Sequence, residues 1–239
     1  MKFLLLFLLT TSLFASRMSV EEFLSSEIEK IIINKITKRV ASNDKQGYNK
    51  KIKLKKLKIK SLLASLSFSN LNLKQLPNLN SFNEISVLDI KSNQINNLFH
   101  LQNIKTIKYL DAHKNLIDNL FSLQALRKLQ YLDLSKNKIS NLYSISALRN
   151  LEYLDLSKNK IDNINYLRNL KKLKYLNLSN NKLKNINDLR SLDNLKVLDI
   201  SNNNIKDISF IKNMKSLKII IIKNNPITTK IDSSILVIK

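Results

Sequence analysis

Asp111, His113 and Ser135 are the residues whose types most invite catalysis. A histidine set between an acid and a hydroxyl can take the hydroxyl proton and make it a nucleophile. That chemistry also needs an oxyanion hole and a site that excludes water. The chain has one glycine, Gly47, so it has no glycine turn to aim backbone N–H groups and no glycine-rich phosphate loop. His100, the other histidine, has no partner at ligand spacing, and cysteine is absent. Thiol catalysis, thiolate zinc sites and disulfides are thereby excluded. Aspartates recurring along the chain offer parallel carboxylates, which do not wrap a calcium ion. The expectation is a non-enzyme with no cofactor and no metal.

The elements that position these residues follow from a fixed period. YLDLSKNKI stands at 131–139 and again at 153–161, and YLNLSNNKL stands at 175–183, each 22 residues after the last. One column reads Leu66, Leu88, Leu110, Leu132, Leu154, Leu176, Leu198, Ile220. A second reads Phe68, Ile90, Ala112, Leu134, Leu156, Leu178, Ile200, Ile222. A third runs from Leu73 to Ile227, and four more begin at Leu63, Leu76, Leu79 and Phe82. Lys230 is their one polar occupant. A repeat at this period is a supersecondary unit that buries its apolar face only by stacking on its neighbours.

A polar column accompanies them: Asn93, Asn115, Asn137, Asn159, Asn181, Asn203 and Asn225, broken in the first unit by Leu71. Buried amides are tolerated only when hydrogen-bonded. A stacked asparagine column meets that demand if each amide bonds backbone groups in its own and neighbouring turns.

The pattern from Leu129 through Leu132, Leu134, Asn137 and Ile139 to Leu142 resembles the leucine-rich-repeat family. Its period resembles the class found in bacterial internalins and in a regulatory subunit of protein phosphatase 1. The resemblance covers about 63–228. It implies an α/β solenoid: an arc of about eight repeats with a parallel sheet on the concave side and tight helical or extended returns on the convex side. The implied role is protein–protein interaction.

Alternate residues of a strand face opposite sides. With Leu132 and Leu134 inward, three columns face solvent. They are Val87, Tyr109, Tyr131, Tyr153, Tyr175, Val197, Ile219; then Asp89, Asp111, Asp133, Asp155, Asn177, Asp199, Ile221; then Lys91, His113, Ser135, Ser157, Ser179, Ser201, Lys223. Aromatic residues are enriched at binding hot spots, and the acids would select a basic partner patch. The expected partner-binding residues are Tyr109, Asp111, Tyr131, Asp133, Tyr153, Asp155, Tyr175, Asn177 and Asp199.

The chain carries 41 Lys+Arg against 18 Asp+Glu, a formal net charge of +23. Such a field attracts polyanions. The alternative function is attachment to a heparin-like glycan or anionic surface through Lys50, Lys51, Lys53, Lys55 and Lys56 and through Lys171, Lys172 and Lys174. Nucleic acid is not an expected partner, and a structural coat component is a third possibility. The bland account of the charge is a composition rich in Lys, Asn and Ile.

Residues 1–16 read as a secretory signal peptide: Lys2, an apolar run from Phe3 to Ala15, then small residues. Export to the medium or cell surface is expected, with no membrane span in the mature chain and a monomeric protein. In 17–48, Ser19 and Glu22 form a capping box, and apolar residues at every fourth position predict a helix from about Val20 to Val40. This helix and its polar linker are expected to cap the solenoid. The basic segment 49–62 leads into the repeats, and 229–239 forms a tail that either caps the last strand or self-associates.

Overall fold

The computed structural model describes residues 65–79, 85–229 and 235–238. The expected signal peptide, the N-terminal helix and the basic segment with Lys50, Lys51, Lys53, Lys55 and Lys56 lie outside them. The chain divides into two compact units, Met1–Ser67 and Phe68–Lys239. In the first, strand β1 spans Ser65–Ser67.

The second unit is built by one turn of chain repeated. Its strands are β2 (Val87–Asp89), β3 (Tyr109–Asp111), β4 (Tyr131–Asp133), β5 (Tyr153–Asp155), β6 (Tyr175–Asn177), β7 (Val197–Asp199), β8 (Ile219–Ile221) and β9 (Leu236–Ile238). Each pairs in parallel with the next, and from β2 to β8 the register places every residue beside its equivalent 22 positions on. A slip of one residue would turn the leucines outward, so the apolar columns fix this register. The side chains of Leu88, Leu110, Leu132, Leu154, Leu176, Leu198 and Ile220 are all buried. Five-residue 3-10 turns, such as Phe121–Ala125 and Tyr143–Ala147, carry the return, so the implied tight return is 3-10. Each begins after an Asn or Asp whose Oδ1 accepts the backbone N–H two residues on, as Asn141 does from Tyr143 at 2.8 Å.

The bend out of each strand rests on the asparagine column. In the central unit, Asn137 Nδ2 donates to Ala112 O and Leu134 O, both at 3.0 Å. Its Oδ1 accepts the Ile117 N–H at 3.0 Å. The same three bonds recur, shifted by 22, at Asn115, Asn159, Asn181, Asn203 and Asn225. Leu71 breaks the column at the first bend, and Asn93 compensates by accepting from both Leu71 N–H and Leu73 N–H.

The residue before each of these asparagines adopts the left-handed conformation. Ser92, Lys114, Lys136 and Lys158 have φ of 54–56°, and Asn180, Asn202 and Asn224 have φ of 55–57°. Left-handed backbone costs a residue with a Cβ roughly 1–2 kcal/mol, and asparagine tolerates it best. The lysine row is therefore seated at a strained bend.

β9 ends the unit differently. Ile219 faces Leu236, an offset far short of a full repeat, and Ile222 N–H donates to Ile238 O at 2.9 Å. The tail adds a strand to β8, which leaves Leu236 exposed.

Two stability outcomes follow. Asn137→Ala leaves the Ile117 N–H unpaired in the interior and removes one of the two amide donors at Ala112 O and at Leu134 O, and should cost about 2–3 kcal/mol in urea unfolding. Asn225→Ala, at the half-exposed end of the column, should cost less. Lys136→Asn should instead raise the midpoint, by about 0.5 kcal/mol. Equal losses at Asn137 and Asn225 would contradict the account of the ladder, and a loss for Lys136→Asn would contradict that of the bend.

Candidate protein-interaction face

The outward side of β3–β7 carries the residues singled out from the sequence. Tyr109, Tyr131, Tyr153 and Tyr175 stack as a ladder, with ring centroids 4.0, 4.2 and 4.4 Å apart and planes within 10° of parallel. These gaps are shorter than the strand spacing of about 4.8 Å. The side chains on this face thus converge, as they must on the inner side of a curved sheet. Because ring covers ring, the ladder offers edges and hydroxyls rather than open π faces. Burial pushes all four phenols above their usual range, so they remain neutral hydroxyls.

The aspartate row lies beside the ladder. Its members are less open than alternation alone implies: Asp111 and Asp155 are buried, and Asp133 and Asp199 are half-buried. Each is held by the third column. Ser135 donates to Asp133 Oδ1 from its N–H at 2.8 Å and its Oγ at 2.7 Å. Ser201 does the same for Asp199, and Ser157 N–H bonds Asp155. Asn177 Nδ2 donates to Asp155 Oδ2 at 3.0 Å, joining β5 to β6. Burial raises the pKa of Asp133 and Asp199 against the pull of their serines. Burial, with Asp133 next door, pushes Asp155 up to about 7.

One end of the row has cations. Lys91 Nζ lies 3.3 Å from Asp89 and 3.6 Å from Asp111. Burial works against that ammonium, but the two carboxylates outweigh it and raise its pKa. His113 Nδ1 sits 2.9 Å from Asp111 Oδ1, and that hydrogen bond raises the histidine pKa. Among the described residues, Asp133, Asp155 and Asp199 form no ion pair.

The catalytic trio does not assemble. His113 pairs with Asp111, but the Ser135 hydroxyl serves Asp133. In the polyanion set, Lys174 Nζ is paired with Glu152 at 2.7 Å. Lys171 Nζ donates to Ser191 O and Lys172 Nζ to Asn150 Oδ1.

Sequence reasoning missed a feature on the return side. Phe99, Phe121 and Tyr143 follow the same 22-residue stagger and are 58–66% exposed. Phe99 and Phe121 border an open groove of about 480 Å³ that also includes His100 and Asn119. The column was readable in the sequence, but an aromatic in a return segment carries no sign of which way it faces.

Residues 62–231 match the leucine-rich repeat region family. The chain belongs to the leucine-rich-repeat proteins. Among solved structures it is similar to internalin C2 of Listeria monocytogenes, at 31% identity over 70% of this chain and 74% of that one, with a TM-score of 0.67. It is also similar to a leucine-rich-repeat protein of Leptospira interrogans, at 27% identity over 66% of this chain and 42% of that one, TM-score 0.62. A plant peptide hormone receptor in complex with its hormone shares the fold, at 19% identity over 67% of this chain and 27% of that one, TM-score 0.56. No curated protein matches the sequence. Among the described residues no helix is long and apolar enough to cross a membrane.

The Asp133–Asp155 pair makes a pH-dependent outcome. An unfolded aspartate titrates near 3.9. Folded Asp155 therefore holds a proton between about pH 4 and 7 that the unfolded chain releases. Its contribution to stability is full below about pH 4 and is lost as pH rises through about 7. Asp133→Asn removes the neighbouring charge, so the Asp155 carboxyl, followed by carbon NMR, should titrate lower. An unchanged midpoint would show that burial alone sets it.

Proposed function

We propose that this leucine-rich-repeat protein is an exported interaction module that captures a basic protein partner on its sheet face. The contacts are Tyr109, Asp111, Tyr131, Asp133, Tyr153, Asp155, Tyr175, Asn177 and Asp199. The observation that carries this reading is the tyrosine ladder running beside carboxylates, of which Asp133 and Asp155 lack an ion-pair partner among the described residues. Rigid stacked rings offer contact area at little entropic cost, and an arriving cation relieves the repulsion between neighbouring acids. Support for export is the apolar run from Phe3 to Ala15. This reading is of binding rather than catalysis, and it is supported by the Ser135 hydroxyl donating to Asp133 while His113 pairs with Asp111.

The polyanion reading rests on the +23 charge. It is the weaker one, because Lys174 is paired with Glu152 and the Lys171 and Lys172 ammonium groups are engaged on neighbouring turns.

The test is cross-linked capture from cells neighbouring the producer, at low and high salt. Asp133→Lys with Asp155→Lys should abolish capture. Asp133→Asn with Asp155→Asn, which keeps side-chain shape, should weaken it at least tenfold while circular dichroism stays unchanged. Capture that survives both pairs overturns the assignment of this face, as does binding lost to added heparin but not to the acidic-face variants.

A further inference from the structure

The register of the sheet brings together three side chains that the sequence holds apart. Asp111 and His113 lie on one face of β3 and its extension, and Asp133 is the β4 residue paired with Asp111. One ligand atom from each lies within 4.8 Å of the others. We propose that Asp111, His113 and Asp133 form a binding site for a divalent transition-metal ion of the zinc class.

Geometry supports the set. Zinc binds histidine nitrogen and carboxylate oxygen at about 2.0–2.2 Å, which places neighbouring tetrahedral ligand atoms roughly 3.3–3.6 Å apart. His113 Nδ1 and Asp111 Oδ1 are 2.9 Å apart across a hydrogen bond; the ion takes the place of its proton, which is released to solvent, and the two atoms already stand close to the ligand spacing. Asp133 completes the set by a small side-chain movement. Its Oδ1 is oriented by Ser135 N–H and Oγ, an outer shell of the kind that fixes metal-binding carboxylates. Its Oδ2 has no hydrogen bond or ion pair among the described residues. The donors come from two hydrogen-bonded strands, so the frame is rigid, and half-buried His113 and Asp133 leave a way for water to fill the remaining coordination positions.

The pattern of the repeat is an independent pointer. The position of His113 is serine in the next four units, Ser135, Ser157, Ser179 and Ser201, and lysine at either end, Lys91 and Lys223. Histidine stands once in this column, and aspartates of two adjacent strands flank it, as they also flank Lys91 and Ser135. An imidazole changes the preference of the site: paired carboxylates alone suit hard cations, whereas a nitrogen ligand among them favours zinc, cobalt, nickel or copper. Calcium, which takes 6–8 oxygens, is poorly served by two carboxylates on one sheet face.

Lys91 sharpens the inference. Its ammonium lies 3.6 Å from Asp111 Oδ2, so this end of the row already holds a cation. A metal ion competes with Lys91 for Asp111, and Lys91 keeps Asp89 when displaced.

The test is titration of the untagged full chain with zinc chloride by calorimetry, with cobalt(II) absorption as the spectroscopic readout. The expected result is one saturable site with micromolar affinity and a cobalt spectrum showing nitrogen ligation. His113→Ser installs the residue that the repeat itself uses, so the fold is kept, and it should weaken binding at least tenfold, as should Asp133→Asn. Lys91→Ser should strengthen binding several-fold, a gain that simple damage to the fold does not produce. His100→Gln should change nothing. Thermal melts in EDTA check that every variant folds. No saturable binding, binding indifferent to His113→Ser, or binding that moves with His100 overturns the proposal.

Discussion

One hydrogen-bonding demand governs this molecule: the backbone must bend away from the sheet once per turn, in the interior, without stranding its polar groups. The asparagine amide meets it because it is short, carries two donors and an acceptor, and spans two turns at once. Each of Asn93 to Asn225 gives its Nδ2 protons to carbonyls of its own and the preceding turn and takes an N–H on its Oδ1. Aspartate would lack the donors, and leucine would lack both donors and acceptor. The ladder couples neighbouring turns through bonds that only the correct offset of 22 permits. The apolar columns supply most of the driving force for stacking, at about 1.5–3 kcal/mol per buried leucine, but they specify the offset less sharply.

That same offset dictates the chemistry of the outer face. A register that sets leucine on leucine also sets tyrosine on tyrosine and aspartate on aspartate. For tyrosine the result is favourable, a continuous stack of neutral rings. For aspartate it places carboxylates one strand apart on a buried to half-buried row, where burial first and the neighbouring like charge second raise the pKa of Asp133 and Asp155. The serines and Asn177 offset part of this cost through hydrogen bonds, and Lys91 offsets more at one end. The middle of the row keeps carboxylates that an external cation would stabilise. The proposed binding is thus a by-product of repetition, independent of any pocket.

Much of this was legible in the sequence because period and alternation are strong signals. The columns through Leu132, Leu134 and Asn137 gave the fold, and alternation gave Tyr131 and Asp133 their facing. What escaped was local or cross-strand. Left-handed backbone at Lys114, Lys136 and Lys158 was hidden because lysine does not advertise that conformation; only Asn180, Asn202 and Asn224 in the same column hint at it. The burial of Asp111 and Asp155 depends on how closely side chains converge on the curved face, which alternation does not carry. The Asp111–His113–Asp133 grouping was open to view once the columns were aligned. Contiguous ligand spacing does not reveal it, because one donor lies a full repeat away. The register of β9 was also hidden, since its offset from β8 departs from the repeat and its residues carry no asparagine ladder.

Departures from the repeat fall into two kinds, and the ladder separates them. Leu71 removes its own amide and leaves the first bend only the bonds that Asn93 makes, whereas Ala112 alters a side chain and the bonds of its bend survive. The asparagines address backbone groups: the Leu71 N–H donates to Asn93, and Ala112 O accepts from both Asn115 and Asn137. A break like that at Ala112 is structurally quiet. His113 is different, because it stands in a column whose side chains contact the aspartate row, so the change alters which ions that row can hold. In an array whose units are otherwise alike, a chemically distinct site can arise only at a break of this second kind. Lys91, Lys223 and the Ile219–Ile221 strand mark the ends of the face in the same way. The proposed face is thereby confined to the span from β3 to β7: tyrosines run from β3 to β6, acids from β3 to β5 and again at β7, and His113 stands beside its first strand.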